Sequence, residues 1–273
     1  MNIKLSSALL LAITSMFAAP SFAADRSGTT CADLPKFADL QTALATAVTA
    51  VTAKVDAFGL PMWATLVDSS GRVCAVAKLN GTDPWLGSRV ISAQKANTAN
   101  AFSTENIALS TANLYAAVQP GGSLFGLQHS NPVNTLAAYR GAATNFGTAN
   151  DPMVGLRVGG VNVFGGGLAL YNTSKQAIGA IGVSGDSSCA DHAIAWKLRT
   201  SLVGKGSGLG LVANKVPGGV NKESNDIFDD NIIYDIVPVG NGNNGTSTSG
   251  WGQPHCAFGP TKEFAPAVGA LTN

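Results

Sequence analysis

The chain has 273 residues, of which 45% are hydrophobic and only 12% are charged. Soluble domains usually carry about 25% charged residues. Much of the surface of this protein must therefore consist of glycine and uncharged polar residues, or be buried in an assembly. The low charge excludes a highly charged disordered chain, and a net charge of +1 provides no basic stripe for a nucleic-acid partner.

The first 23 residues predict a secretory signal peptide. Lys4 precedes an apolar run over residues 8–19 that is too short to span a bilayer, and Ser21 and Ala23 are small residues at the cleavage positions. A buried N-terminal helix is the alternative. Removing Lys4 lowers the basic residues from 17 to 16, equal to the 16 acidic ones. We therefore expect a periplasmic or extracellular protein with no net charge and no membrane span.

Apolar periodicity predicts a long first helix, in which large residues recur every three or four positions. These residues are Leu34, Phe37, Leu40, Leu44, Val48, Val51, Val55 and Phe58. Asp33 is the predicted N-cap, and Gly59 follows the helix end. Residues 62–79 then predict a β-hairpin, because two β-prone runs flank the turn cluster 68–71.

The middle of the chain alternates between regular and irregular segments. Helices are predicted over residues 88–102, capped by Ser88, and over residues 110–118. Residues 119–160 are rich in Gly, Pro, Asn and Ser, which predicts a long irregular loop of the kind that often carries function. The remaining predicted elements are short strands over 161–163, 167–171 and 177–183 and a final helix over 187–202.

Beyond residue 203 the composition changes to Gly, Asn and Ser, with one apolar stretch at 230–239. We expect residues 204–273 to be an irregular C-terminal extension packed on a domain formed by residues 24–203. The order of helices and hairpin-connected strands indicates an α+β fold with antiparallel strands.

The final helix has two distinct faces at 100° per residue. Asp191 lies on the inward side with Ile194 and Leu198, where a carboxylate needs a partner or borders a ligand site. His192 and Trp196 lie on the opposite face. This outer face is a predicted docking place for the C-terminal extension.

Four cysteines follow the signal peptide, and an exported protein normally joins them in disulfides. Four cysteines allow three pairings. Cys189 lies beside Trp196 on the outer face of the last helix, so Cys256 in the extension is its expected partner. That leaves Cys31 to pair with Cys74 and to join the first helix to the hairpin.

Two places in the sequence could receive an anion. Lys95 lies among small residues of its helix, either as a solvated stem or as a partner for a buried carboxylate or an acidic ligand. The free amides at residues 187–188 could bind an anion, or a serine or aspartate there could simply cap the helix. Ser184, Asp191 and His192 lack the strand–elbow–helix context of a hydrolase triad.

Three segments resemble the GlcG/HbpS family of haem-binding and related proteins: residues 64–82, 92–104 and 159–195, the last containing GAIGVSG followed by an aspartate. With the preceding helix, the resemblance covers residues 33–202. It implies a profilin-like α+β domain, with an antiparallel sheet flanked by helices, that forms rings or higher homo-oligomers. Some members of that family bind haem, and some are exported.

The resemblance implies a haem (heme b) site and suggests which residues form it. The positions that match the family motifs are Lys95, Thr98, Gly182, Ser184, Gly185 and Asp191. The shared motifs do not fix the iron ligand, for which His129 in the long loop is our first candidate and His192 the second. Lys95 and the amides near residues 184–188 would receive the propionates. The resemblance thus predicts haem or iron sequestration, or redox sensing.

Two other functions remain open from the residues alone. Lys95 and Asp191 could act as the cation and the acid–base group of an enzyme for a small organic acid or carbonyl compound. Alternatively, the extension could bind a protein partner. His255, beside Cys256, is the third histidine, and no two histidines have the spacing of a metal pair on a helix.

Overall fold

The computed structural model describes residues 28–52, 57–207, 210–214, 216–222, 228–239 and 242–256. The predicted signal peptide and Val55 of the first predicted helix lie outside the described residues, as do residues 257–273. Within the described ranges, no helix combines the length and the hydropathy that crossing a membrane requires.

A four-stranded antiparallel sheet forms the centre of the molecule, in the order β2-β1-β4-β3. The strands are β1 (Trp63–Asp68), β2 (Val73–Lys78), β3 (Gly167–Tyr171) and β4 (Ala177–Ser184). β1 and β2 form the predicted hairpin, in which the Asp68 carboxylate accepts the amide N–H groups of Ser70 and Arg72 across the turn. Local turn chemistry therefore sets this hairpin, as the sequence predicts.

Helices cover both faces of the sheet. The long helices are α1 (Phe37–Thr52), α2 (Leu86–Phe102) and α5 (Ser188–Ser201). α1 and α5 share one apolar core with Ala64 and Leu66 of β1, whereas α2 packs with Val67 on the other face. This division follows from the alternation of side chains along a strand, and it confirms the predicted α+β fold.

Two predicted helix caps are wrong, and one is confirmed. α1 begins at Phe37, and the Asp33 carboxylate instead accepts the N–H of Thr30 at 2.9 Å in the preceding turn. α2 begins at Leu86, so Ser88 lies inside its first turn and does not cap it. At α5 the Ser187 hydroxyl accepts the Ala190 N–H at 3.1 Å, as predicted for a serine N-cap.

The segment between α2 and β3 differs from the predicted elements, with less regular structure around residues 110–118 and 161–163 and more within residues 119–160. The predicted helix over 110–118 is reduced to a 3₁₀ turn at Ala116–Val118, and the predicted strand over 161–163 is absent. Side-chain bonds replace them: the Ser110 hydroxyl donates to Asn113, and the Asn162 N–H donates to Thr98. The loop also contains two four-residue helices, α3 (Leu127–Ser130) and α4 (Thr135–Ala138).

A buried ion pair fixes the rest of this loop to the domain. The Arg89 guanidinium of α2 binds the Asp151 carboxylate through two nitrogens, with Nε 2.9 Å from Oδ2. Arg89 also donates to the Ala138 carbonyl and lies over the Phe146 ring. The long loop is therefore held against α2 by specific polar contacts, although its composition is that of a coil.

The C-terminal extension docks on α5, as the helix wheel predicts. The Arg199 guanidinium and the Asp230 carboxylate form a bidentate ion pair at 2.7 and 2.8 Å, with both side chains fully buried. In contrast to the irregular extension expected, the described part contains two short antiparallel pairs. These are β5 (Asn221–Lys222) with β6 (Phe228–Asp229), and β7 (Ile236–Val239) with β8 (Gly242–Ser247).

Both predicted disulfides are confirmed. Cys31 is bonded to Cys74, with the Cα atoms 5.1 Å apart, and Cys189 is bonded to Cys256, with the Cα atoms 6.1 Å apart. The first joins the segment before α1 to the hairpin. The second joins α5 to the end of the described extension.

Candidate functional site

The residues of the family motifs meet where α2, β4 and α5 come together. Lys95 Nζ donates to Asp191 Oδ2 at 2.6 Å and to the Val183 carbonyl at 3.1 Å. The other carboxylate oxygen of Asp191 accepts the Asp186 N–H at 2.9 Å. Lys95 and Asp191 are 1% and 2% exposed, so water does not reach this pair.

Glycines of the same motifs allow the backbones around the pair to approach closely. A Cβ on Gly182 would clash with the Ser92 carbonyl of α2, and a Cβ on Gly166 would lie 3.2 Å from Lys95 Nζ. Gly166 also has a φ of 118°, which L side chains rarely adopt. The motif glycines thus seal the ion pair within the protein.

Burial dominates the electrostatics of this pair. It raises the pKa of Asp191 to about 6 and lowers the pKa of Lys95, and the charge of the partner opposes each shift. An acid–base role would require a substrate within reach of these groups. Neither of the two described cavities is lined by Lys95 or Asp191, so the enzyme alternative gains no support from the arrangement.

Thr98, Ser184 and Gly185 also lie inside the protein. Thr98 Oγ1 donates to the Gln94 carbonyl at 2.7 Å and accepts the Asn162 N–H at 3.0 Å. Ser184 is 4% exposed at the end of β4, and a Cβ on Gly185 would clash with the Pro61 carbonyl. These residues position α2, β4 and the loop, and their predicted haem contacts stay predictions.

The start of α5 already holds an anion of the protein itself. The Asp186 carboxylate accepts the N–H groups of Ser187 at 2.6 Å, Phe58 at 3.0 Å and Leu60 at 2.9 Å. A propionate at this helix end would have to displace Asp186, and Lys95 is already paired. The predicted propionate site therefore requires a rearrangement of these residues.

The ring of His192 is buried inside the protein. Its side chain is 0% exposed, neither ring nitrogen meets hydrogen-bond geometry with a described residue, and the Asn231 side chain lies close enough to oppose the fall of its pKa. Burial lowers its pKa to about 4, against the opposing charge of Asp230, so the imidazole is neutral at pH 7. The ring stacks on Trp196 at 6.1 Å between centroids. A neutral imidazole is a competent iron ligand, but the packing around it leaves no access from solvent.

His129 is the accessible histidine of the domain. It lies in α3 and its side chain is exposed. Its backbone N–H donates to the Gly126 carbonyl at 3.0 Å. Leu127 anchors this short helix in a small apolar cluster, and Phe125 beside it is 64% exposed. His255 is also exposed, but it stacks on Tyr234 at 4.7 Å.

Sequence reasoning missed a pair of neighbouring arginines. Arg72 and Arg157 lie opposite each other in an isolated antiparallel bridge, although they are 85 positions apart in the chain. No periodicity marks either residue. The only local signal is the turn cluster before Arg72.

The domain is an α+β fold in which α1 and α5 cover one face of a four-stranded antiparallel sheet and α2 covers the other. A buried ion pair joins α2 to α5, and the motif glycines allow the close packing around it. The chain belongs to the HbpS-like family, because the family model described as "Haem degrading protein HbpS-like" matches residues 39–198. The match ends before Asp230, so the docked part of the extension lies outside it.

The chain is also similar to three solved structures. The first, Klebsiella pneumoniae protein ORFY of the DUF336 family, is 24% identical, covers 62% of this chain and 90% of its own, and has a TM-score of 0.42. The PduOC–haem complex is 26% identical over 62% of this chain and 94% of its own, with a TM-score of 0.41. A double mutant of Streptomyces reticuli HbpS is 17% identical over 68% and 98%, with a TM-score of 0.39. No curated protein matches the chain.

Proposed function

We propose that the protein binds haem and that His129 is the iron ligand. The observation that carries this proposal is that His129 presents an exposed imidazole within the residues that the HbpS-like family model matches. His192, the second candidate, lies in the same range but is fully buried. His255 lies outside the range.

The surroundings of His129 fit the chemistry of haem. A porphyrin supplies four equatorial ligands, so one imidazole from the protein is sufficient to hold the iron. The macrocycle needs an apolar surface, and Phe125, two residues before the start of α3, exposes 64% of its area. When bound, haem supplies a redox-active iron. The chain itself supplies the imidazole on α3 and the exposed aromatic ring of Phe125 in the segment just before that helix.

The proposed setting is outside the cytoplasm. We propose that residues 1–23 are a cleaved signal peptide, that residues 24–203 form the domain and that residues 204–273 form the extension. The two disulfides favour an oxidising compartment. In that compartment a haem protein can sequester haem or iron, or sense redox conditions through the iron. Mass spectrometry of the exported protein, with a start at Ala24, tests the cleavage.

We also propose a homo-oligomer. Membership of the family and a set of exposed large apolar side chains support it, including Trp85 and Leu86 at the start of α2 and Leu136 and Tyr139 around α4. Exposed apolar patches on soluble proteins commonly mark contact surfaces. Light scattering after size exclusion should give a multiple of the mass of the mature chain, and a monomer would refute the assembly.

Haemin titration of the oxidised protein tests the central proposal. Wild type should give a saturable Soret band at one haem per chain, and His129→Ala should reduce affinity at least about tenfold, since each 1.4 kcal/mol is tenfold. His255→Ala is the matched control because it also removes an exposed histidine, and it should bind as wild type does. Equal Soret spectra for wild type and His129→Ala would remove His129 from the site.

A further inference from the structure

The surface next to the Cys31–Cys74 disulfide carries two neighbouring positive charges. Arg72 and Arg157 are paired in an isolated antiparallel bridge, which is flanked by the Val73 N–H bond to the Leu156 carbonyl at 2.8 Å. Residues directly opposite in an antiparallel pair hold their Cβ atoms about 4.5–5.5 Å apart. The two side chains therefore start from opposite positions of one bridge, and both residues line the same cavity.

Neutral acceptors hold both guanidinium groups in place. Arg157 donates from Nε to the Ser70 carbonyl at 2.9 Å and from Nη2 to the Ser70 hydroxyl at 2.8 Å. Arg72 donates from Nη1 to the Gly155 carbonyl at 3.0 Å. These bonds use only part of the five N–H donors of each guanidinium, so donors remain for a ligand.

Neither arginine has a carboxylate partner in the described part of the chain. The ion pairs found there are Arg89–Asp151, Lys95–Asp191 and Arg199–Asp230, all of them buried. Asp68 is close, but its Oδ1 accepts three bonds from Ser70 and Arg72, and the residue is only 3% exposed. Two like charges directly opposite each other are unfavourable, and a bound anion would remove that repulsion.

A cavity lies beside the two arginines. Its volume is about 590 Å³, and the residues that line it are Arg72, Arg157, residues 68–70 and residues 28–32. Guanidinium groups bind carboxylate and phosphate oxygens in pairs of parallel hydrogen bonds. The cavity has room for a small organic anion, in contrast to the closed surroundings of Lys95.

We propose that Arg72 and Arg157 form a binding site for a small oxyanion with two negative charges, of the phosphate or dicarboxylate type. Each guanidinium takes one charged end or one pair of oxygens of the ligand. His129 is not among the residues that line this cavity, and the proposed site uses no haem. This site for an acidic ligand differs from the one that the sequence motifs indicate, at Lys95 and the amides near residues 184–188.

Calorimetric titration of the full oxidised chain with inorganic phosphate and, in a second arm, with succinate tests this site. Wild type should bind at least one of the two saturably, with an affinity that falls as sodium chloride is raised. Arg157→Gln and Arg72→Gln should each weaken binding about tenfold or more. The stronger arm identifies the ligand type.

Arg140→Gln is the matched control, because Arg140 is exposed and lies outside the walls of the cavity. It should bind as wild type does. The proposal is overturned if neither anion binds, or if Arg140→Gln weakens binding as much as the two cavity variants. Circular dichroism of each variant separates a lost site from a lost fold. Haem titration of Arg157→Gln should match wild type, so the two proposals fail independently.

Discussion

Basic side chains of this protein occur in two contrasting environments. Inside, Arg89, Lys95 and Arg199 are almost fully buried, and each is bonded to an aspartate from a distant part of the chain. At the surface, His129 and the Arg72/Arg157 pair are exposed and lack carboxylate partners among the described residues. The interior groups hold elements together, whereas the surface groups are those that we propose for ligand binding.

This contrast changes the meaning of the family motifs. Lys95, Gly182 and Asp191 belong to the most specific motif blocks, yet they pack α2, β4 and α5 together and are sealed from solvent. The Lys95 and Asp191 side chains, which are of types that often bind ligands, therefore stabilise the fold in this protein. The exposed groups proposed to meet a ligand lie in the turn after β1 and in the long loop, outside the two motif blocks 92–104 and 159–195.

The largest effect should come from breaking an interior ion pair. Asp230→Ala leaves the Arg199 charge buried without its partner, which should lower the free energy of unfolding by about 3–5 kcal/mol. Urea denaturation measures this loss. Glu105→Ala, which removes an exposed carboxylate, is the control and should change stability little. A small effect of Asp230→Ala would mean that the extension is not firmly docked on α5.

Removing the Cys189–Cys256 disulfide should have the next largest effect. The double variant Cys189→Ser/Cys256→Ser should lose about 2–4 kcal/mol, because the unfolded chain gains freedom. Hydrogen exchange should also rise at Gln253, whose N–H donates to the Ile233 carbonyl at 2.8 Å. Cys31→Ser/Cys74→Ser is the comparison variant. It should lose stability without faster exchange at Gln253, and equal exchange in both would contradict the docking role.

His192 should make the protein sensitive to acid. Its pKa falls from the usual 6.5 to about 4 on folding, so the unfolded state binds more protons between these values. Its stabilising contribution is complete above pH 6.5 and is lost as the pH falls towards 4, by about 3 kcal/mol in total.

Asp191 has the opposite effect on the pH dependence of stability. The contribution of His192 must therefore be measured as the difference in stability between a His192 variant and wild type. Its pKa rises to about 6, so its contribution to stability is present below pH 3.8 and is lost as the pH rises through 6. Denaturation of His192→Phe and wild type at pH 7 and at pH 4 isolates the histidine. The variant should gain about 3 kcal/mol relative to wild type on acidification. An unchanged difference would show that His192 is not buried as described.

Much of the fold follows from local sequence signals. The β1–β2 hairpin, the Ser187 cap and the pairing of Cys189 with Cys256 depend on turn residues, helix periodicity and one amphipathic face, all of which are visible in the sequence. The hairpin and the cap depend on neighbouring residues, and the cysteine pairing depends on the periodicity of one helix, so all three can be predicted without the tertiary structure.

The polar contacts that shape the candidate sites could not be predicted in the same way. Arg89 meets Asp151, and Arg72 meets Arg157, across an apparently irregular loop, because the partners are brought together only by the tertiary fold. Tertiary packing decides these two contacts. Ser88 differs from the prediction for a local reason, because α2 starts two residues earlier, at Leu86, and the Ser88 N–H bonds to the Trp85 carbonyl in the first turn.

The smallest stability effects should come from the surface groups. His129→Ala and Arg157→Gln remove exposed side chains, so each should stay within about 0.5 kcal/mol of wild type. Thermal denaturation checks both variants. A large loss of stability in either variant would show that the residue maintains the fold, which would contradict its assignment as a ligand-binding group.

Rescue of a His129→Gly variant by free imidazole tests the haem proposal most directly. The variant should lose the Soret band of the ferric haem complex in the oxidised protein, and millimolar imidazole should restore it by occupying the vacated position. His192→Phe should keep the band without imidazole. Retention of the band by His129→Gly, together with its loss in His192→Phe, would contradict the assignment and identify the buried histidine as the iron ligand.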